Sequence, residues 1–156
     1  MAQTTGTSIQ EWEGTTDHVV VATGATAALA AGHFSDSGVT ATEVEYDNST
    51  KKWPQAIAKF AATYTVAPTA GDTVEVHIYE DVDGTYTIPP VTTVAHQAKY
   101  RGSITVEATT SAQGGQCLIS LMGIKKCKGI IKNTSAQSIP TGWTLTFEGV
   151  GLNVKA

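Results

Sequence analysis

Charge is scarce in this sequence. Only 15% of its 156 residues are Asp, Glu, Lys or Arg, and the acids outnumber the bases 14 to 10 for a net charge of −4. A nucleic-acid partner requires a clustered basic excess to neutralise phosphate, so the overall balance argues against one. Cysteine is nearly absent as well. Cys117 and Cys127 are separated by nine residues, which fits neither a zinc site nor a thioredoxin-like motif. In a reducing compartment both are expected as free, buried thiols rather than as a disulfide. No stretch approaches the roughly 18 apolar residues that a membrane span needs. "MAQTTGTSIQEWEGTTD" has neither the basic flank nor the apolar core of a secretion signal. The expectation is a protein made and kept in a cytoplasm, at least at first, with no membrane partner.

What is present is threonine, spread along the whole length, together with 41% hydrophobic residues. Branched side chains pack well on pleated surfaces, which favours strands over helices. The length suits one domain with a single core. Residues 1–16 are polar, with Trp12 as the only large aromatic, and read as an extended N-terminal arm. Trp12 would be its anchor on a neighbouring subunit, the alternative being a loose tail. Residues 17–156 would form the folded domain.

Alternation places the strands. "HVVV" at His18–Val21 and "VTATEVEY" at Val39–Tyr46 read as strands, the second ending at the turn-formers Asp47 and Asn48. The small-residue segment between them reads as extended rather than helical. Residues 46–72 fit two templates. Trp53, Ile57, Phe60 and Tyr64 have helical spacing, whereas Ala56, Ala58, Phe60, Ala62, Tyr64 and Val66 alternate as on a strand. No Gly or Asn stops a helix before Thr63, and "DTVEVHIY" downstream is strand-like, so the strand reading wins. It predicts a hairpin over Thr63–Tyr79 around a Pro68–Asp72 turn, with Phe60, Tyr64 and Val66 in the core.

"SITVEA" at Ser103–Ala108 reads as a strand, and "GGQCLISLMGI" as a central strand covered on both sides. "KKCKGIIKNTS" places Lys126, Lys128 and Lys132 outward. In "GWTLTFEGVGLNVKA" the apolar residues move from odd to even positions across Glu148-Gly149, which predicts a β-bulge at Gly149. Eight or nine strands with few plausible helices indicate an all-β, antiparallel sandwich, best fitted by a jelly roll.

No motif carries catalytic chemistry. There is no nucleophile elbow, phosphate-binding glycine loop or activated cysteine. Glu80, Asp81 and Asp83 lack the remaining ligands of a calcium loop and read as a solvated acidic turn. His18, His33, His77 and His96 are scattered, with His77 on the outward face of its strand. Glu43, Glu45, Glu75 and Glu107 are explained by outward strand positions without a glycosidase pair. Asn48-Ser49-Thr50 and Asn133-Thr134-Ser135 read as turns rather than glycosylation sites. The expectation is no catalytic residue, no metal and no cofactor. Lys125, Lys126, Lys128 and Lys132 form a basic patch on an acidic protein. They read either as a solvated face or edge-guarding strand, or as a footprint for an acidic partner surface.

"DNSTKKWPQAIAKFAATYTVAPTAGDTVEVHIYEDVDGTY", Asp47 to Tyr86, resembles the central signature of small virion proteins of tailed bacteriophages. Its marks are an Asn-Ser-Thr turn, an aromatic-Pro strand, an "AP-T-AG" turn, an apolar strand and an acidic "DG-T-Y" loop. "KCKGIIKNTSAQSIPTGWTLTFEGVGL" is similar to the family's ending, and the resemblance spans about half the chain. Ala-Ile-Ala-Lys follows Trp53-Pro54 where many relatives carry an acid, which puts a partner contact through that acid in doubt. The resemblance implies a jelly-roll or related sandwich that decorates or cements the capsid. It would bind the major capsid protein as a homo-oligomer, a trimer by preference, on the virion surface after synthesis in the bacterial cytoplasm. Trp12, Lys125, Lys126 and Lys128 are the candidate partner-binding residues. The rival expectation is a tail-fibre or baseplate sandwich that binds host carbohydrate through Trp53, Tyr46 or Tyr86.

Overall fold

A computed structural model describes residues 9–13, 18–35, 39–80 and 98–155, with only the backbone described for 9–13 and 152–155. It is an all-β fold. The strands are β1 (Ile9–Glu13), β2 (His18–Gly24), β3 (Ala41–Glu43), β4 (Glu45–Asp47) and β5 (Gln55–Thr63). They continue as β6 (Thr73–Glu80), β7 (Lys99–Thr105), β8 (Ala112–Ser120), β9 (Lys126–Asn133) and β10 (Thr144–Lys155). Two sheets pack face to face. One runs β3-β2-β10-β5-β8, with β1 added to the far half of β10, and the other runs β4-β9-β6-β7. Every pairing is antiparallel. The expected antiparallel sandwich is therefore the fold.

The core lies between the sheets and is built by the alternation visible in the sequence. Ala56, Ala58, Phe60 and Ala62 of β5 point inward, as do Val74, Val76 and Ile78 of β6. Phe60 packs on Trp143 with ring centroids 6.3 Å apart, and Tyr46 meets Phe147 edge-on at 5.8 Å. Burying side chains of this size stabilises the fold by about 1.5–3 kcal/mol each.

Connections differ from several expectations. The segment between β5 and β6 is not a hairpin, because the two strands belong to different sheets. The expected turn is present, with Gly71 at φ 92° and Asp72 N–H donating to Thr69 O at 3.0 Å. It lies on a crossing from one sheet to the other. Tyr64 is buried at the start of that crossing, but Val66 is 57% exposed and lies outside the core. Likewise Val39–Tyr46 is not one strand. The chain changes sheets at Val44, whose N–H donates to Val21 O at 2.8 Å, leaving β3 and β4 as short edge strands.

Two further corrections concern β8 and β10. β8 is paired only to β5 among the described residues and forms an edge, with Leu118 54% exposed, rather than a doubly covered central strand. β10 pairs with β5 in unbroken register from Thr144 to Val150, so no bulge lies at Gly149. The register instead slips against β2, between Leu145 and Thr146. As far as Gly151 the inward face of β10 keeps one parity: after Trp143, Leu145 and Phe147 come Gly149 and Gly151, whose missing side chains are replaced by the Trp53 ring. A Cβ on Gly149 would lie 2.1 Å from Trp53 Cδ1.

His77 is outward as expected, yet it is only 7% exposed. The chain around Phe34, which bridges to Lys132, folds over that face. Phe34 and Tyr100 flank the imidazole edge-on at 5.0 and 5.6 Å. Cys117 and Cys127 are free thiols on opposite sheets, and burial pushes the Cys127 thiol up to about 12.

Candidate functional site: a lysine-rimmed cleft

Two turns at one end of the sandwich enclose a cleft. The first joins β4 to β5 and is organised by Asn48, whose buried side chain satisfies backbone groups on both turns. Its Nδ2 donates to Trp53 O at 2.9 Å and to Ile124 O at 3.1 Å, while its Oδ1 accepts from Trp53 N–H at 2.7 Å. Lys52 N–H closes the turn on Asn48 O at 3.0 Å. This places Lys52 at φ 55°, the sole positive-φ residue other than glycine among the described residues. The Ser49 hydroxyl and amide, with Lys126 nearby, hold the Asp47 carboxyl below its usual range.

The second turn joins β8 to β9. Leu121 N–H donates to Pro54 O at 2.8 Å, Ile124 N–H to Leu121 O at 2.9 Å, and Asn48 N–H to Lys125 O at 2.6 Å. Gly123 supplies the left-handed corner at φ 79°, leaving Met122 at the tip, 78% exposed. Between the turns lies a cavity of about 360 Å³, walled by Trp53, Pro54, Leu121, Met122 and Ile124 and rimmed by Lys52 and Lys125. Trp53 is held in this wall by its seat on Gly149 and Gly151.

Of the three partner-binding lysines expected from sequence, Lys125 lies at this cleft and Lys126 and Lys128 do not. Lys126 and Lys128 sit on the outer face of the four-stranded sheet, on a strand with neighbours on both sides, so they do not guard an edge. Carboxylates face this group. Lys126 Nζ lies 2.9 Å from Glu45 and 3.7 Å from Asp47, Lys128 stands opposite Glu45 in register, and Lys132 Nζ is 4.0 Å from Glu75. The four expected lysines thus divide between an ion-paired ladder and the cleft. Trp12 stands opposite Leu152 where β1 pairs with β10, and its side chain lies outside the described residues.

Glu75 also meets His77 Nε2 at 3.0 Å, and Glu80 binds Lys99 and Arg101 at 2.9 and 2.8 Å. Asp81, Asp83, His96 and Tyr86 lie outside the described residues. No group of three or more His, Cys, Asp or Glu among the described residues could hold a metal ion. Tyr46, considered as a carbohydrate-stacking platform, is buried in the core, and Trp53 is half-buried. Sequence reasoning missed Lys52 and Met122 as members of one site. The local signals were Lys-Lys before Trp53-Pro54 and a glycine after Met122, but nothing in the sequence brings the two turns together.

Compared with known proteins, the chain matches no family model, no curated protein and no solved structure.

Proposed function

We propose that this chain is a structural protein of a tailed-phage virion, a capsid decoration or cement protein with a sandwich of jelly-roll type. It binds the outside of the major capsid shell as a homo-oligomer, a trimer by preference, and stabilises it. Its arm, residues 1–16, of which Ile9–Glu13 pair with β10 of the same chain, offers Trp12 to a neighbouring subunit, and the domain of residues 17–156 carries the shell contact. No catalysis and no cofactor enter this reading.

The observation that supports it best is where the resemblance falls on the fold. The Asn-Ser-Thr turn is the Asn48 hub, Trp53-Pro54 immediately precedes β5, and the "AP-T-AG" segment is the crossing between the sheets. A second support is the outer face of the larger sheet. Across β5, β8 and the described side chains of β10, its charged outward residues are Lys59 and Glu148, which pair with each other. Around them lie Ala61, Thr63, Gln116, Leu118 and Thr144, a surface with little charge to desolvate on assembly. A protein that binds only the assembled shell stabilises that state by mass action. Purified expanded capsids are expected to bind the chain saturably and to resist heat better when saturated. Capsids that show no saturable binding would overturn the proposal.

A further inference from the structure

We infer that the cleft between the Asn48 and Met122 turns is a docking site for an extended acidic segment of a partner protein, which inserts one large apolar side chain between flanking carboxylates. The inference refines the decoration reading by assigning a contact, and it rests on that reading only for the partner's identity.

Charge complementarity argues for this occupant. Lys59, Lys99, Lys126 and Lys132 each have a carboxylate within 4.0 Å. Lys51, Lys52 and Lys125 are exposed and have no ion pair among the described residues. Two of these, Lys52 and Lys125, rim one apolar concavity with no counter-charge among the described residues, and Lys51 adjoins Lys52 in sequence, in a chain of net charge −4. That net charge repels an extended polyanion, and the apolar walls offer a nucleic acid no phosphate cradle. A short segment with a few carboxylates and an apolar anchor meets both the rim and the wall.

The architecture suits such a guest. A volume of about 360 Å³ accommodates a side chain rather than a folded domain. The wall is preorganised, because Asn48 ties both turns together and Trp53 is fixed on its glycine seat. Met122 is the exception, a flexible and polarisable side chain standing in solvent at the lip, where it can fold over an incoming group. Lys52 is held in a left-handed conformation that L side chains rarely adopt, and such residues gather at functional sites.

The test uses the full chain and synthetic dodecapeptides with a central Leu or Phe flanked by two Glu on each side. Controls carry Lys for Glu, or Ala for the anchor. Calorimetry and NMR shifts of the Met122 methyl and the Trp53 indole report binding. The acidic anchored peptide is expected to bind saturably at the cleft and more weakly as salt rises, with both controls at least tenfold weaker. Lys52→Glu/Lys125→Glu is expected to lose at least tenfold in affinity with unchanged thermal unfolding, and Met122→Ala to lose less. The proposal is overturned if the acidic peptide does not bind, binds the double variant equally, or shifts signals elsewhere. It is overturned too if only a peptide of residues 8–14 of this chain binds and the double variant dissociates an oligomer, since the occupant is then a second copy. Capsid binding that survives the double variant removes the cleft from the shell contact while leaving the decoration reading standing. Peptide binding without capsid binding does the reverse.

Discussion

Lys126 and Lys132 on β9 and Lys52 and Lys125 at the cleft carry the same charge in neighbouring parts of one molecule, yet their surroundings are opposite. On the sheet, antiparallel register fixes what faces each lysine. β4 brings Glu45 and Asp47 to Lys126, and β6 brings Glu75 to Lys132, so the patch is internally compensated. In the turns no register operates, and Lys52 and Lys125 face solvent beside an apolar wall. A cluster of like charges in a sequence is therefore not yet a binding surface. What decides is whether the fold places counter-charges opposite it, and here it does so for Lys126, Lys128 and Lys132 but not for Lys125.

The largest effect expected is on the core that separates these regions. Burial raises the hydroxyls of Tyr64 and Tyr79 from 10.0 to about 12 and the Cys127 thiol from 9.0 to about 12. Folded values above unfolded ones mean that the folded state holds these protons longer. Their contribution is complete below pH 9 and is lost as pH rises toward 12. Circular dichroism across that window should show cooperative alkaline unfolding. A fold that persists unchanged past pH 12 contradicts the burial of these groups.

Next come the supports of the cleft. Gly149→Ala drives a methyl into the Trp53 ring and is expected to cost about 3 kcal/mol, read as a lower urea midpoint at constant m. Asn48→Ala leaves backbone groups of Trp53 and Ile124 without partners and is expected to cost about 2 kcal/mol by the same measurement.

Smaller effects separate the two lysine sets directly. Lys126→Ala removes a partly exposed ion pair and is expected to cost at most about 1 kcal/mol, less in high salt. Lys125→Ala is expected to change stability by no more than about 0.5 kcal/mol, with no salt dependence. Equal costs for the two would erase the distinction. Lys52→Gly is expected to stabilise the protein by about 0.5 kcal/mol, because glycine adopts φ 55° without strain. Its cost should appear only in peptide binding.

Strand content was legible because alternation is a local property. β5 and β6 lie where Ala56–Ala62 and Val74–Ile78 alternate, and Trp53-Pro54 does stand at the entry to β5. Pairing was not legible, since the same alternation serves a hairpin and two strands in opposite sheets. Burial misled wherever a distant segment or a gap intervened. Phe34 covers His77 from another part of the chain, and Gly149 looked like a shifted register because a glycine facing inward carries no apolar signal until Trp53 is placed on it. Among the expected lysines, Lys125 alone reached the cleft for a related reason. The cleft joins turns about 70 residues apart in sequence, and the bond from Asn48 to Ile124 that unites them is a tertiary fact.

The most direct test of the proposed decoration role is a reconstruction of expanded tailed-phage capsids incubated with saturating protein. The account predicts sandwich density at stoichiometric occupancy on the outer shell, with the Lys52–Lys125 cleft closed over an acidic segment of the major capsid protein. A bare shell at saturating concentration, or density confined to the tail, would contradict it.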